Sequence, residues 1–198
     1  MIVRVMVQWQ RSIFSFAFGY TATGPQLANP KMYELSSAYP QLAANYGTLT
    51  GLAYTMPFAI FGLFVGKFTE TANRKWALAA VIAMAGATMG LSGAINSFAI
   101  LAAMRVAHGM VNSATNPLSF SLVGDYFPPD KRATANSIIH SGQYIGTAMG
   151  SISILMISKW GWRGTYGLMA GISLAVSGLI AVLVKEPGRG VFLSKAEK

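Results

Sequence analysis

Arg105, His108, Asn112, Asn116 and Ser119 recur at steps of three and four inside the apolar stretch 97–123. That spacing lays them along one face of one helix. The stretch is long enough to cross a bilayer. An ionised guanidinium at that depth costs at least about 2.5–3.5 kcal/mol unless it faces a protein interior or a water-filled cavity. Lipid cannot satisfy a polar stripe, so this face must meet water, a solute or another helix. The chemistry on offer is recognition: Arg105 for an anion, His108 for a proton or hydrogen bond, and the two amides for polar groups. Three competing readings stand beside it. Arg105 can snorkel to the outer surface, roughly 10 Å away at 1.5 Å per residue. His108 can be satisfied by an interhelical hydrogen bond, and the asparagines can glue helices together. Pro117 removes a backbone donor beneath them, so a kink is expected.

A second stripe, His140, Tyr144, Thr147 and Ser151, is expected to turn towards the same cavity. Gly142, Gly146 and Gly150 lie about 200° from His140 at 100° per residue, a face suited to close helix packing. Gln8 and Arg11 share a face of the first apolar stretch; cavity lining and an interfacial helix start are equal alternatives there. A third group sits between apolar stretches: Gly66, Glu70, Asn73, Arg74 and Lys75, with Asp125, Asp130 and Arg132 farther on. Gly66 permits close helix approach, and Glu70 can pair with a cation or a helix N-terminus. Together they read as a charge network or as solvated hairpins.

The elements that must position these residues are membrane helices. The chain has 198 residues, 53% hydrophobic and only 11% charged, against about 25% charged in a soluble domain. Six spans are expected, over 2–23, 47–65, 76–94, 98–123, 135–157 and 165–184, with KWGWR a tight turn before the last. The predicted bundle is 1–184, and 185–198 is a polar tail. Trp76, Trp160 and Trp162 fall at span ends, where indoles favour the interface. With six spans both termini share a side. That side holds Arg4, Lys67, Arg74, Lys75, Lys131, Arg132, Lys185, Arg189, Lys195 and Lys198; the other holds Lys31, Lys159 and Arg163. The excess makes the termini cytoplasmic. The net charge of +9 is thus topogenic and points to no nucleic-acid partner. The opening residues read as a span, not a cleavable signal. Cysteine is absent, so no disulfide or thiolate metal site is expected.

These motifs, taken in order, resemble the major facilitator superfamily. Gly66-x3-Glu70-x2-Asn73-Arg74-Lys75 is similar to its signature loop, with Glu70 for the usual Asp and Asn73 for the second Gly. Asn also tolerates a left-handed backbone. RVAHG, with Arg105 and Gly109, resembles its fourth-span motif, and DYFPPDKRATA the connector that follows. The glycines of the fifth span resemble that helix's motif, without its usual Pro. WGWR and EPGRG also match. DYFPPDKR, WGWR and EPGRG are most similar to the spinster-like branch, associated with lysophospholipid and sphingolipid export.

The resemblance implies an all-α membrane fold of six helices as two three-helix inverted repeats, the first half of a two-half transporter. It implies a substrate site at Arg105, His108, Asn112, Asn116, His140 and Tyr144. It implies a gate at Gly66, Glu70, Arg74, Lys75, Asp125 and Arg132. The first span lacks the acidic residue usual in that branch, which leaves His108 or His140 as the titrating group. The expected function is secondary transport of a small anionic or lysolipid-like solute by alternating access, with membrane lipid around the bundle. A missing second half or a second copy would complete it. The alternative is a transporter-derived six-helix subunit with a scaffold role. No cofactor motif, metal cluster or nucleophilic constellation points to an enzyme.

Overall fold

The computed structural model describes residues 1–188 and 192, apart from the Glu70 side chain. The expectations for the Glu70 side chain, for Arg189, Lys195 and Lys198, for the end of EPGRG and for most of the tail lie outside the described residues. The described chain is helical, without a strand. Three helical stretches are long and apolar enough to cross a membrane: Gln41–Thr69, Arg74–Ala94 and Pro129–Leu183.

Helix α1 (Ile2–Gly19) buries Val3, Trp9, Ile13 and Phe14. It ends short of the expected residue 23, and the segment after it is more ordered than a proline-rich loop. A 3-10 turn (Gly24–Ala28) leads into α2 (Pro30–Tyr33) and α3 (Leu35–Ala38). The chain then enters α4 (Gln41–Gly47), a π turn (Thr48–Leu52) and α5 (Ala53–Thr71) without leaving helical geometry. The second apolar helix therefore starts earlier than the expected residue 47. Pro57 lies inside α5; its missing N–H leaves the Ala53 carbonyl without a helical donor, next to the π turn.

Helix α6 (Arg74–Ala94) is capped by Asn73, whose side chain accepts from the Trp76 amide at 3.2 Å. Asn73 has φ −70°, so the expected left-handed tolerance is not what the position uses. It is an N-cap, the role a short amide favours. Helices α7 (Phe98–Asn112) and α8 (Thr115–Tyr126) are interrupted at Ser113 and Ala114. Pro117 lacks the N–H that would bond the Ser113 carbonyl, which accounts for the break.

Helix α9 (Pro129–Leu183) runs through KWGWR with one non-helical residue, Gly161, at φ 72° and ψ 170°. The expected multi-residue turn is thus a single-glycine break. A Cβ on Gly161 would lie 2.5 Å from the Met32 carbonyl oxygen, so only glycine fits. Trp162 is fully buried and donates from Nε1 to the Lys31 carbonyl at 3.1 Å. That corrects the expectation of an interfacial indole; Trp76 and Trp160 are exposed. The neighbouring Arg163 donates to the Gly93 and Ile95 carbonyls at 2.7 and 3.0 Å. Those carbonyls lie at the C-terminus of α6, where a cation is favoured.

The break in α9 gives its two parts separate partners. Residues 129–160 pack on α1 through Gly142, Gly146 and Gly150. A Cβ on Gly146 would stand 2.5 Å from the Val5 carbonyl oxygen, and one on Gly150 would stand 2.8 Å from the Ser12 Cβ. Residues 162–183 pack on α6, where Gly86 lies against Ser173 and Gly93 against Tyr166. Helix α5 packs on α7, and Gly109 lets α7 approach the Tyr54 backbone.

Candidate functional site

The break between α7 and α8 divides the expected polar stripe. Arg105, His108 and Asn112 point into the bundle and are 3%, 2% and 0% exposed. Asn116 has rotated out of that file and lines a cleft with Arg4. Arg105 does not snorkel. Its guanidinium carbon lies 4.1 Å from the Phe14 ring centre and 5.5 Å from that of Tyr54. Aromatic faces stabilise a cation there without a carboxylate. Neither Nε nor Nη2 of Arg105 meets a hydrogen-bonding protein atom.

His108 makes an interhelical contact. Its Nδ1 is 2.7 Å from Thr88 Oγ1, and that hydroxyl donates to the Ala85 carbonyl at 2.8 Å. This favours the helix-glue reading over cavity lining. His140 and Tyr144 are not gathered with these residues. His140 is exposed beside the Phe120 ring, 5.3 Å between centres, and Tyr144 is 78% exposed.

The open polar feature lies elsewhere. A cleft of about 150 Å³ is lined by Arg4, Val7, Gln8, Arg11, Tyr54, Phe58, Asn116 and Gln143. Arg4 donates to the side-chain oxygens of Asn116 and, at 3.3 Å, Gln143. Arg11 is exposed, with its guanidinium carbon 5.1 Å from the Tyr54 ring centre. Of the two readings open for Gln8 and Arg11, the geometry matches cavity lining. Tyr54 separates this cleft from Arg105: one ring receives Arg11 and Arg105 together. Among the described residues no carboxylate lies within ion-pairing distance of Arg4, Arg11 or Arg105. Composition hid this site. Arg4 counted as a topological charge, and nothing in the sequence registers α1 against Asn116 and Gln143.

The hairpin group assembles at one end of the bundle. Arg74 is 2% exposed. It pairs with Asp125 and, at 2.9 Å, with Glu186, and it reaches the Ser121 hydroxyl at 3.1 Å. Glu186 also accepts from the Lys75 amide at 2.8 Å. Partial burial opposes its charge, but the bonds from Arg74 and Lys75 prevail and hold its carboxyl below the usual glutamate range. Glu186 was missed as a participant, although EPGRG had marked its surroundings. Arg132 binds the Gly124 and Phe127 carbonyls at 2.7 and 3.2 Å, and no acid among the described residues. A Cβ at Gly66 would meet open space, so close helix approach is not what that glycine provides here. The described residues hold no cluster suited to a metal ion.

Residues 11–198 match the family described as Major Facilitator Superfamily. In fold the chain is similar to a bacterial homologue of the human lysosomal transporter Spinster, solved in an inward-facing, unoccupied conformation. The TM-score is 0.76 at 19% identity, covering 96% of this chain and 42% of that one. It is 25% identical over 185 residues to the sphingosine-1-phosphate transporter SPNS2 of Danio rerio, covering 90% of this chain and 35% of the relative. It is 26% identical over 112 residues to the probable galactarate/D-glucarate transporter GudP of Escherichia coli K12, covering 54% and 25% respectively. The chain thus spans about a third or less of the curated relatives it matches.

Proposed function

Because the chain belongs to the Major Facilitator Superfamily, whose members are multi-pass membrane transporters and not enzymes, we propose that it is the first half of a secondary transporter for a small anionic or lysolipid-like solute. The proposed unit has six passes as two three-helix inverted repeats: 2–19, 41–71 and 74–94, then 98–126, 129–160 and 162–183. Gly161 and the continuity of α4 with α5 support that count, and the likeness to Spinster homologues supports the arrangement. Residues 1–184 form the bundle and 185–198 a tail or the start of a linker. Lys and Arg excess favours cytoplasmic termini. Membrane lipid surrounds the unit, and a companion half or second copy faces it.

The observation that carries this reading is the cleft holding Arg4 and Arg11 with no acidic partner among the described residues. Uncompensated charge in a bundle interior marks a solute pathway. Arg11 and Arg4 draw the anion in, with Tyr54, Asn116 and Gln143 beside them. Arg105 sets the positive potential behind Tyr54, with His108 and Asn112 holding its helix. The ion pairs of Arg74 with Asp125 and Glu186 hold one conformation. Gly66, Glu70, Lys75 and Arg132 border that gate, which opens as the halves rock.

The test is flux of anionic solutes and lysolipids through proteoliposomes containing the full-length protein. Saturable flux should fall at least about tenfold in Arg11→Gln, about 1.4 kcal/mol of lost recognition. Undiminished flux in that variant would remove the assignment.

A further inference from the structure

Resting on that anion-transport reading, we infer that the cleft selects a small polar dianion, one with an acidic group at each end of a short hydroxylated chain, and not a lysolipid. Arg4 and Arg11 stand seven residues apart on α1, so they share a face and are offset by about 10 Å along the axis. They line one cleft. Two separated cationic points, with no carboxylate between them among the described residues, match two separated acidic groups better than one phosphate. Each guanidinium presents a planar fork suited to a carboxylate.

The two cations are not equivalent. Arg11 makes no hydrogen bond to a protein group among the described residues, and its only close partner is the Tyr54 ring. It is the open receptor for the first carboxylate. Arg4 already meets Asn116 and Gln143, both neutral amides, while its Nε is buried and unpaired. Amides fix the guanidinium without neutralising it, so Arg4 is oriented and still cationic. It receives the second carboxylate. Gln8, between the two arginines on α1, and the side-chain NH2 groups of Asn116 and Gln143 at the Arg4 end then offer polar contacts suited to hydroxyl groups. Val7 and Phe58 are the apolar lining that this half supplies, little wall for an acyl tail.

Equilibrium binding of D-glucarate and D-gluconate to the purified full-length protein tests this. The two probes differ in one terminal carboxylate. Wild type should bind glucarate at least about tenfold tighter. Arg4→Gln should erase that preference while holding gluconate affinity within about threefold. Arg4→Lys, which keeps the charge, should retain part of the preference and shows that the site still folds. Equal binding of the probes by wild type, or an undiminished preference in monodisperse Arg4→Gln, would overturn the dianion inference and leave anion transport standing. Saturable binding of a lysolipid with neither probe bound would do the same. If no anion of any kind binds, both readings fall.

Discussion

The Arg105 guanidinium carbon sits 4.1 Å from the centre of the Phe14 ring, and both side chains are buried. A ring face thus occupies the place where an ion-pair partner would stand. The pair joins α7 to α1, the helix that also carries the cleft arginines. A desolvated cation–π contact contributes about 2 kcal/mol. Phe14→Leu, which keeps an apolar side chain, should lower thermal stability in detergent by about 1–3 kcal/mol. In a double-mutant cycle with Arg105→Met the coupling should be about 1–2 kcal/mol. Additive losses would show that the two side chains act independently.

Gly146 fixes the distance between α1 and α9. A Cβ there would stand 2.5 Å from the Val5 carbonyl oxygen and 2.8 Å from the Gln8 Cβ. Gly146→Ala should therefore cost about 1–3 kcal/mol through overpacking. At Gly167 an added Cβ meets nothing within 4 Å, and Gly167→Ala should be neutral or stabilising by up to about 1 kcal/mol. Paired melting curves of the two variants check this.

Gly161 gives the sharper backbone test. At φ 72° a side chain is strained, and its Cβ would lie 2.5 Å from the Met32 carbonyl oxygen. Gly161→Ala should destabilise by at least about 2 kcal/mol and displace Trp162 from its bond to Lys31. The readouts are a lower melting temperature and a changed tryptophan emission.

The Glu186 carboxyl has a folded pKa below its ordinary value of 4.5. A depressed acid stabilises the fold fully above its unfolded pKa and loses that contribution as pH falls through the folded value. Wild type should thus lose more thermal stability between pH 6 and pH 3.5 than Glu186→Gln does. Parallel pH dependences for the two proteins would refute a stabilising ion pair with Arg74.

Periodicity and composition made much of this legible. The start of α6, the kink near Pro117 and the glycine face of 142–150 are local properties of the chain, and local spacing reports them. Arg105 was expected to face a solute cavity and not lipid, and it lies buried inside the bundle. Its surroundings were not foreseen, because Phe14 is more than ninety residues away and a helical repeat names a face without naming its neighbour. Likewise Asn116 looked continuous with Asn112 until the break at Ser113 turned it towards Arg4. Glu186 was overlooked for the same reason: only the return of the chain after α9 brings it to Arg74. The turn at KWGWR was legible, but its confinement to Gly161 was not, because that glycine packs against Met32, far away in the chain.

On the proposed function, the cleft of Arg4, Arg11 and Gln143 is a solute pathway open to water. This chain has no cysteine, so a thiol placed in it reports directly on access. In the full-length protein with other cysteines replaced, Gln143→Cys should react with a membrane-impermeant thiol reagent, and saturating solute anion should slow that reaction severalfold. If Gln143→Cys is as inert from both sides of the membrane as Ile82→Cys, whose parent residue is fully buried, and the anion changes nothing, the cleft is not a pathway.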